Sequence, residues 1–184
     1  MNIISLFNTH SAGRQIKVDE REFDNMRGQL AAINRVQAVI EFSLDGTILT
    51  ANQNFLDVMG YSLDEIKGKH HSIFVDSVYR SNQEYRLFWD RLGRGEFEAG
   101  QYKRIGKNGK EVWIQASYNP ILGPDGRPFK VVKYATDITA DAIKKLNIER
   151  RMQQIIGALD STSSNVMVAD PERKVVYMNR AEEK

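Results

Sequence analysis

The 184-residue sequence contains no cysteine. That excludes disulfides, zinc–thiolate sites, iron–sulfur clusters, a cysteine nucleophile and a cysteinyl photoadduct, and it fits a reducing compartment. Charge of one sign is also lacking, since 26 Lys and Arg stand against 24 Asp and Glu. The basic residues are scattered among acidic ones rather than gathered in a stripe, so no nucleic-acid partner is expected. Nowhere does an apolar run approach the roughly 20 residues of a membrane helix. "MNIISLFNTHS" has neither a positive n-region nor a small-residue cleavage site, so no signal peptide is expected either. A cytoplasmic, membrane-free protein is the expectation. There is no nucleophile elbow and no Gly-Lys-Ser/Thr phosphate loop, and most acidic residues fall at turns and helix starts, so no enzymatic activity is expected.

What remains is an ordinary globular composition, with 41% hydrophobic and 27% charged residues. Residues 1–17 carry no strong pattern and read as a tail or partial helix. From Asp19, residues Phe23, Met26, Leu30, Ile33 and Val36 recur every three or four positions, which predicts an amphipathic helix. The helix packs either on its own domain or on a copy of itself. Val39–Phe42 and Thr47–Ala51 read as strands around Asp45-Gly46, a hairpin turn. A helical stretch runs through Phe55, Leu56 and Met59. Ser62 with Glu65, and Ser81 with Glu84, have capping-box spacing and predict two helix starts. Gly68 would stop the first of these helices, and Gly93 and Gly95 the second.

The chain then becomes β-rich over 97–105, 111–121 and 129–138, with turns at Asn108-Gly109 and Pro124–Gly126. In the middle strand Val112, Ile114, Ala116 and Tyr118 share one face, and Trp113, Gln115, Ser117 and Asn119 the other. The first set is the more apolar and is placed on the core side. In that phase Tyr102, Arg104 and Tyr118 point into the concave space. A buried Arg104 needs a carboxylate or a ligand's charge beside it; a slip of one residue would turn it to solvent. Lys133 poses the same problem on the last strand, so a small acidic ligand is conceivable. Thr139 is a plausible N-cap of an exit helix. In that helix Ile148, Met152, Ile155 and Leu159 repeat four, three, four, as in a heptad seam.

"VIEFSLDGTILTANQNF" from Val39 and "VMVADPERKVVYMNRAE" from Val166 have the same order: apolar strand, polar turn, apolar strand, Asn. One offset carries Asn52 onto Asn179, so a module begins twice.

The segments "DGTILTANQNFLDVMGYSLDEIKGK", "RLGRGEFEAGQYKRIGKNGKEVWIQASYNPILGPDGRPFKVVKY" and "TDIT" together resemble the PAS sensory fold. "GKHHSIF" and "WIQASYNPI" are similar to PAS domains of bacterial methyl-accepting chemotaxis proteins, nearest to soluble tandem-PAS receptors of the biofilm-dispersion and aerotaxis type. The resemblance implies an α+β fold, with a five-stranded antiparallel sheet and helices over one face, flanked by amphipathic helices. It implies an N-terminal tail and helix at 1–37, a PAS domain at 38–139, a linker helix at 140–163 and the truncated start of a second PAS domain at 164–184. The chain would then be a piece of a longer receptor, with its downstream signalling domain elsewhere. Residues 164–184 would be frayed or would pack on a neighbouring chain.

By the same resemblance the module senses a small molecule, oxygen or redox state, and dimerises through its flanking helices. The alternative it leaves open is a ligand-free interaction module of a receptor, histidine kinase or cyclic-di-nucleotide enzyme. Some PAS domains hold haem through a histidine in the region of His70 and His71, though adjacent helical residues diverge by about 100°, so at most one can face the pocket. The other reading of the pair is structural: one hydrogen-bonded and half-buried, the other facing solvent. Flavin-binding aerotaxis PAS domains carry a tryptophan in the helix equivalent to that of Trp89, but the stretch before that helix here is "FVDS", Phe74–Ser77, so the FAD motif is incomplete. Core packing is the competing role for Trp89. The candidate lining is His70, His71, Trp89, Tyr102, Arg104, Ile114 and Tyr118. Asp137 and Thr139 would join the last strand to the exit helix.

Overall fold

The computed structural model describes residues 19–179; the expected tail at 1–17 lies outside them. Helix α1 (Glu20–Val36) is a unit by itself. Its stripe of Phe23, Met26, Leu30 and Ile33 is exposed within that unit.

The second unit opens with β1 (Ala38–Phe42) and β2 (Ile48–Ala51). It continues through α2 (Gln53–Met59), α3 (Leu63–Ile66), a 3-10 turn (His71–Phe74), α4 (Ser77–Ser81) and α5 (Gln83–Gly93). Then come β3 (Glu98–Ile105), β4 (Glu111–Leu122), β5 (Pro128–Asp137) and α6 (Thr139–Asp160), with a final hairpin of β6 (Met167–Ala169) and β7 (Val175–Met178). The main sheet has five strands in the order β2-β1-β5-β4-β3, every neighbouring pair antiparallel.

Strand phase follows the alternation of the sequence. Val112, Ile114, Ala116 and Tyr118 are all buried on the face that α2 to α5 cover. Residues directly opposite in an antiparallel pair lie on the same face. The register sets Tyr102 opposite Ile114, Arg104 opposite Val112, and Lys133 opposite both Tyr118 and Ile40. Three long polar side chains thereby join an apolar face.

The helix starts partly depart from expectation. At α3 the capping box forms, and Glu65 accepts from the Ser62 amide at 2.9 Å. Glu65 also pairs with Lys107 at the β3–β4 turn, which holds its carboxyl down at about 2. Ser81, by contrast, does not open the longer helix. It ends α4, its hydroxyl bonded back to Val78 O at 2.9 Å, and Asn82 caps α5 through the Glu84 amide. The N-cap of α6 is Ile138 rather than Thr139, and Asp137 Oδ1 receives the Thr139 amide at 2.8 Å.

Gly46 is a turn glycine whose missing side chain the packing requires. Its φ is +84°, and a Cβ there would lie 2.7 Å from His70 Nε2 and 2.9 Å from Trp89 Cε2. The hairpin turn is thus pressed against the helical layer, and the His71 amide donates to Gly46 O at 2.8 Å.

The two matching stretches share a hydrogen-bond pattern. Asn52 Oδ1 accepts from the Val39 amide at 2.9 Å, and its Nδ2 donates to Gln37 O at 2.8 Å. At the same offset Asn179 Oδ1 accepts from the Val166 amide at 2.8 Å, and its Nδ2 donates to Ser164 O at 2.8 Å. Even the turn repeats, with Arg173 at φ 67° where the first copy has Gly46. The second hairpin is tied to its own chain, since Asn179 Nδ2 also donates to Leu159 O, and Tyr177 OH donates to Asp160 Oδ1 at 2.6 Å. Its apolar side chains Met167, Val176 and Met178 are exposed.

Candidate functional site

The helices over the sheet bring an aromatic and cationic cluster into its hollow. His71 is fully buried, placed by the 3-10 turn that His70 caps. Its Nδ1 lies 2.8 Å from Tyr85 OH and its Nε2 3.0 Å from Tyr118 OH. Burial, then the charges of Lys133 and Arg104, push its pKa well below the ordinary imidazole range. The imidazole is therefore neutral, with one donor and one acceptor nitrogen for two hydroxyls. His70 is half-buried, and its Nδ1 accepts from the Ser72 amide at 3.1 Å.

Tyr118 is the hub. Besides His71, Arg104 Nη2 reaches its hydroxyl at 3.3 Å, and Lys133 Nζ lies 4.7 Å from its ring centroid. The Arg104 guanidinium stacks over half-buried Tyr102 at 4.6 Å and donates to Lys103 O at 2.9 Å. Arg104 is only 5% exposed and Lys133 only 1%. Among the described residues neither is paired with a carboxylate. Buried donors are also left over: Arg104 Nε and Trp89 Nε1 have no hydrogen-bond partner.

Of the seven expected lining residues, His71, Trp89, Arg104, Ile114 and Tyr118 are buried and His70 and Tyr102 half-buried; Trp89 lies edge-on to His71 at 5.4 Å. Tyr85 and Phe42 were not anticipated. Tyr85 meets His71 across two helical segments, a contact with no local sequence signal. Burial pushes the Tyr85 phenol up to about 12.

Haem and flavin do not fit this arrangement. Both His71 nitrogens are engaged by tyrosine hydroxyls, so its one nitrogen lone pair is not free for iron. The rings of His71, Phe88, Trp89 and Tyr118 pack on one another at 4.9–6.4 Å between centroids, which leaves no slot among them for an isoalloxazine. Among the described residues no group of three or more His, Cys, Asp or Glu could hold a metal ion, and no helix is long and apolar enough to cross a membrane.

At the sheet's outer face, β4 meets the exit helix. The Trp113 amide donates to Thr139 Oγ1 at 3.0 Å, and the Ile138 amide to Trp113 O at 2.9 Å. The Thr139 hydroxyl also binds Asp137. The expected junction residues are thus brought together, with Trp113 as their anchor.

Residues 48–135 match a family model described as the PAS fold. Over 124 residues the chain is 44% identical to the Biofilm dispersion protein BdlA of Pseudomonas aeruginosa, covering 67% of this chain and 30% of that one. Over 118 residues it is 30% identical to the Aerotaxis receptor of Escherichia coli, covering 61% of this chain and 23% of that one. The chain therefore spans less than a third of these relatives' length. Among solved structures, the PAS domain of a Colwellia psychrerythraea protein superposes with a TM-score of 0.55 at 19% identity, covering 64% of this chain and 99% of that one.

Proposed function

Because the chain carries a PAS domain related to those of chemotaxis-type receptors, we propose that this domain is a receptor's sensory module and that its input is a small molecule bearing an acid group. The observation that carries the reading is the pair of buried cations, Arg104 and Lys133, on one face of the hollow with no carboxylate beside either. Burying an uncompensated charge costs several kcal/mol, roughly. A fold retains two where an anion comes to meet them, and Arg104 and Lys133 suit a carboxylate or phosphate. Half-buried Tyr79 and Tyr102 lie beside them towards solvent.

Output would leave through β4. Tyr118 and Trp113 stand on opposite faces of that strand, and Trp113 holds the start of α6. An acid that draws Arg104 and Lys133 off Tyr118 shifts β4, and with it the Asp137–Thr139 junction; binding selects between two settings of the helix. Residues 164–179 would begin a second PAS module, clamped to the far end of α6 by Asn179. The signalling domain would lie beyond, in a cytoplasmic homodimer. In a thermal-shift panel of small carboxylates and phosphates, at least one is expected to raise the melting temperature, by the equivalent of about 2.7 kcal/mol at a hundredfold excess over its dissociation constant. No response to any acid, together with a haem or flavin band in the visible spectrum, would overturn the reading.

The ring-filled hollow favours a second reading, a ligand-free dimerisation module. Ile148, Met152 and Ile155 on α6 are 54–56% exposed in a seam. Under either reading Leu30→Glu and Ile155→Glu are each expected to shift the protein toward monomer in sedimentation. Unchanged assembly in both would remove the helices as interfaces.

A further inference from the structure

The hydrogen bonds around Tyr118 restrict where its proton can go. If His71 carries its proton on Nε2, that group donates to the Tyr118 oxygen, and Tyr85 donates to Nδ1. The Tyr118 oxygen then accepts from His71 and from Arg104 Nη2. Its own O–H would have to donate, yet a charged Arg104 and a charged Lys133 are donors without lone pairs. With the other tautomer Tyr118 donates to Nε2, but then Nδ1–H donates to Tyr85, and the Tyr85 hydroxyl loses the acceptor that it has in the first arrangement. Within the trio of His71, Tyr85 and Tyr118, only a phenolate at Tyr118 leaves no hydroxyl proton without an acceptor.

The charge count agrees. The ionisable groups facing Tyr118 are Tyr79 from α4, His71 from the 3-10 turn, Tyr85 from α5, Tyr102 and Arg104 from β3, and Lys133 from β5; β1 contributes Phe42. None is a carboxylate. Burial alone pushes the Tyr118 phenol up, but the charges and hydrogen bonds of Lys133 and Arg104 outweigh it and hold the group below the ordinary phenol range.

We propose that the Tyr118 hydroxyl is ionised in the folded protein at neutral pH and that its phenolate is the buried counter-ion shared by Arg104 and Lys133. The proton leaves to solvent as the chain folds. Two cations and one phenolate leave one positive charge over. This ionisation goes beyond the sensing role and holds whether or not an acid ever binds.

The test is near-ultraviolet absorption of the native protein at neutral pH, against the same protein unfolded in denaturant at the same pH. A phenolate band is expected in the native state alone. Its amplitude should be one seventh of that after full alkaline ionisation, because the chain has 7 tyrosines. Tyr118→Phe should abolish the band and leave the other tyrosines titrating. Should that variant fail to fold, ring-carbon-labelled tyrosine in the wild-type protein reports the same count by NMR, one phenolate resonance among seven. A native protein with no phenolate signal until the ordinary phenol range near pH 10 overturns the proposal, and so does a band that survives in folded Tyr118→Phe.

Discussion

Lys133→Met is expected to stabilise the protein and abolish its response to acids. Met fills much the same volume, so no large cavity opens, and the change removes the excess positive charge from the hollow. Replacing buried ionic groups with well-packed apolar ones is often neutral or stabilising by about 1–4 kcal/mol. A gain of about 1–2 kcal/mol would raise the melting temperature by roughly 4–8 °C per kcal/mol in a domain of this size. Stability gained by deleting a side chain marks a residue retained for something other than folding. Equilibrium denaturation gives the first half of the result, and the acid panel the second. A variant destabilised by more than about 1 kcal/mol would show that Lys133 is fully compensated within the chain, with no charge left over for an acid.

Acid is expected to unfold the protein through His71 before any carboxylate takes part. The folded pKa of His71 is depressed, by burial first and then by Lys133, Arg104 and His70. In the unfolded chain a histidine takes up its proton near pH 6.5, whereas the folded one does not until far lower. The stabilisation is complete above about pH 6.5 and is lost as the pH falls below it, by about 1.4 kcal/mol per unit for one proton. Glu65, held at about 2 against an ordinary value of 4.5, contributes in the same sense but in a lower window. Between pH 6.5 and 5 the wild-type slope should therefore exceed that of His71→Gln, which keeps a donor and an acceptor for Tyr85 and Tyr118. Equal slopes in urea titrations across that range would mean that His71 is not held neutral.

Much of the frame was legible because it rests on short-range rules. The alternation through β4 identified the inward face, Asp45-Gly46 marked a hairpin that the packing makes obligatory, and the matched asparagines announced a repeated clamp. The misreadings occurred where two neighbours can do the same job. Ser81 and Asn82 both cap helices, and the structure uses Asn82 because Asp76 starts a separate short helix that Ser81 closes. Thr139 and Asp137 both suit a helix start, and Thr139 spends its hydroxyl on Trp113. The site was only half legible. Whether Arg104 faces inward depends on one residue of register, which the pairing of Tyr102 with Ile114 decides. The contact of His71 with Tyr85 depends on how separate helical segments pack.

The most direct measurement is native mass spectrometry of the protein purified without denaturation, beside Lys133→Met. The one positive charge left over beside Tyr118 predicts a small acidic adduct, or one acquired from the acid panel, on the wild-type protein and absent from the variant. A wild-type protein that stays bare against every acid, or a variant that binds equally well, would contradict the account.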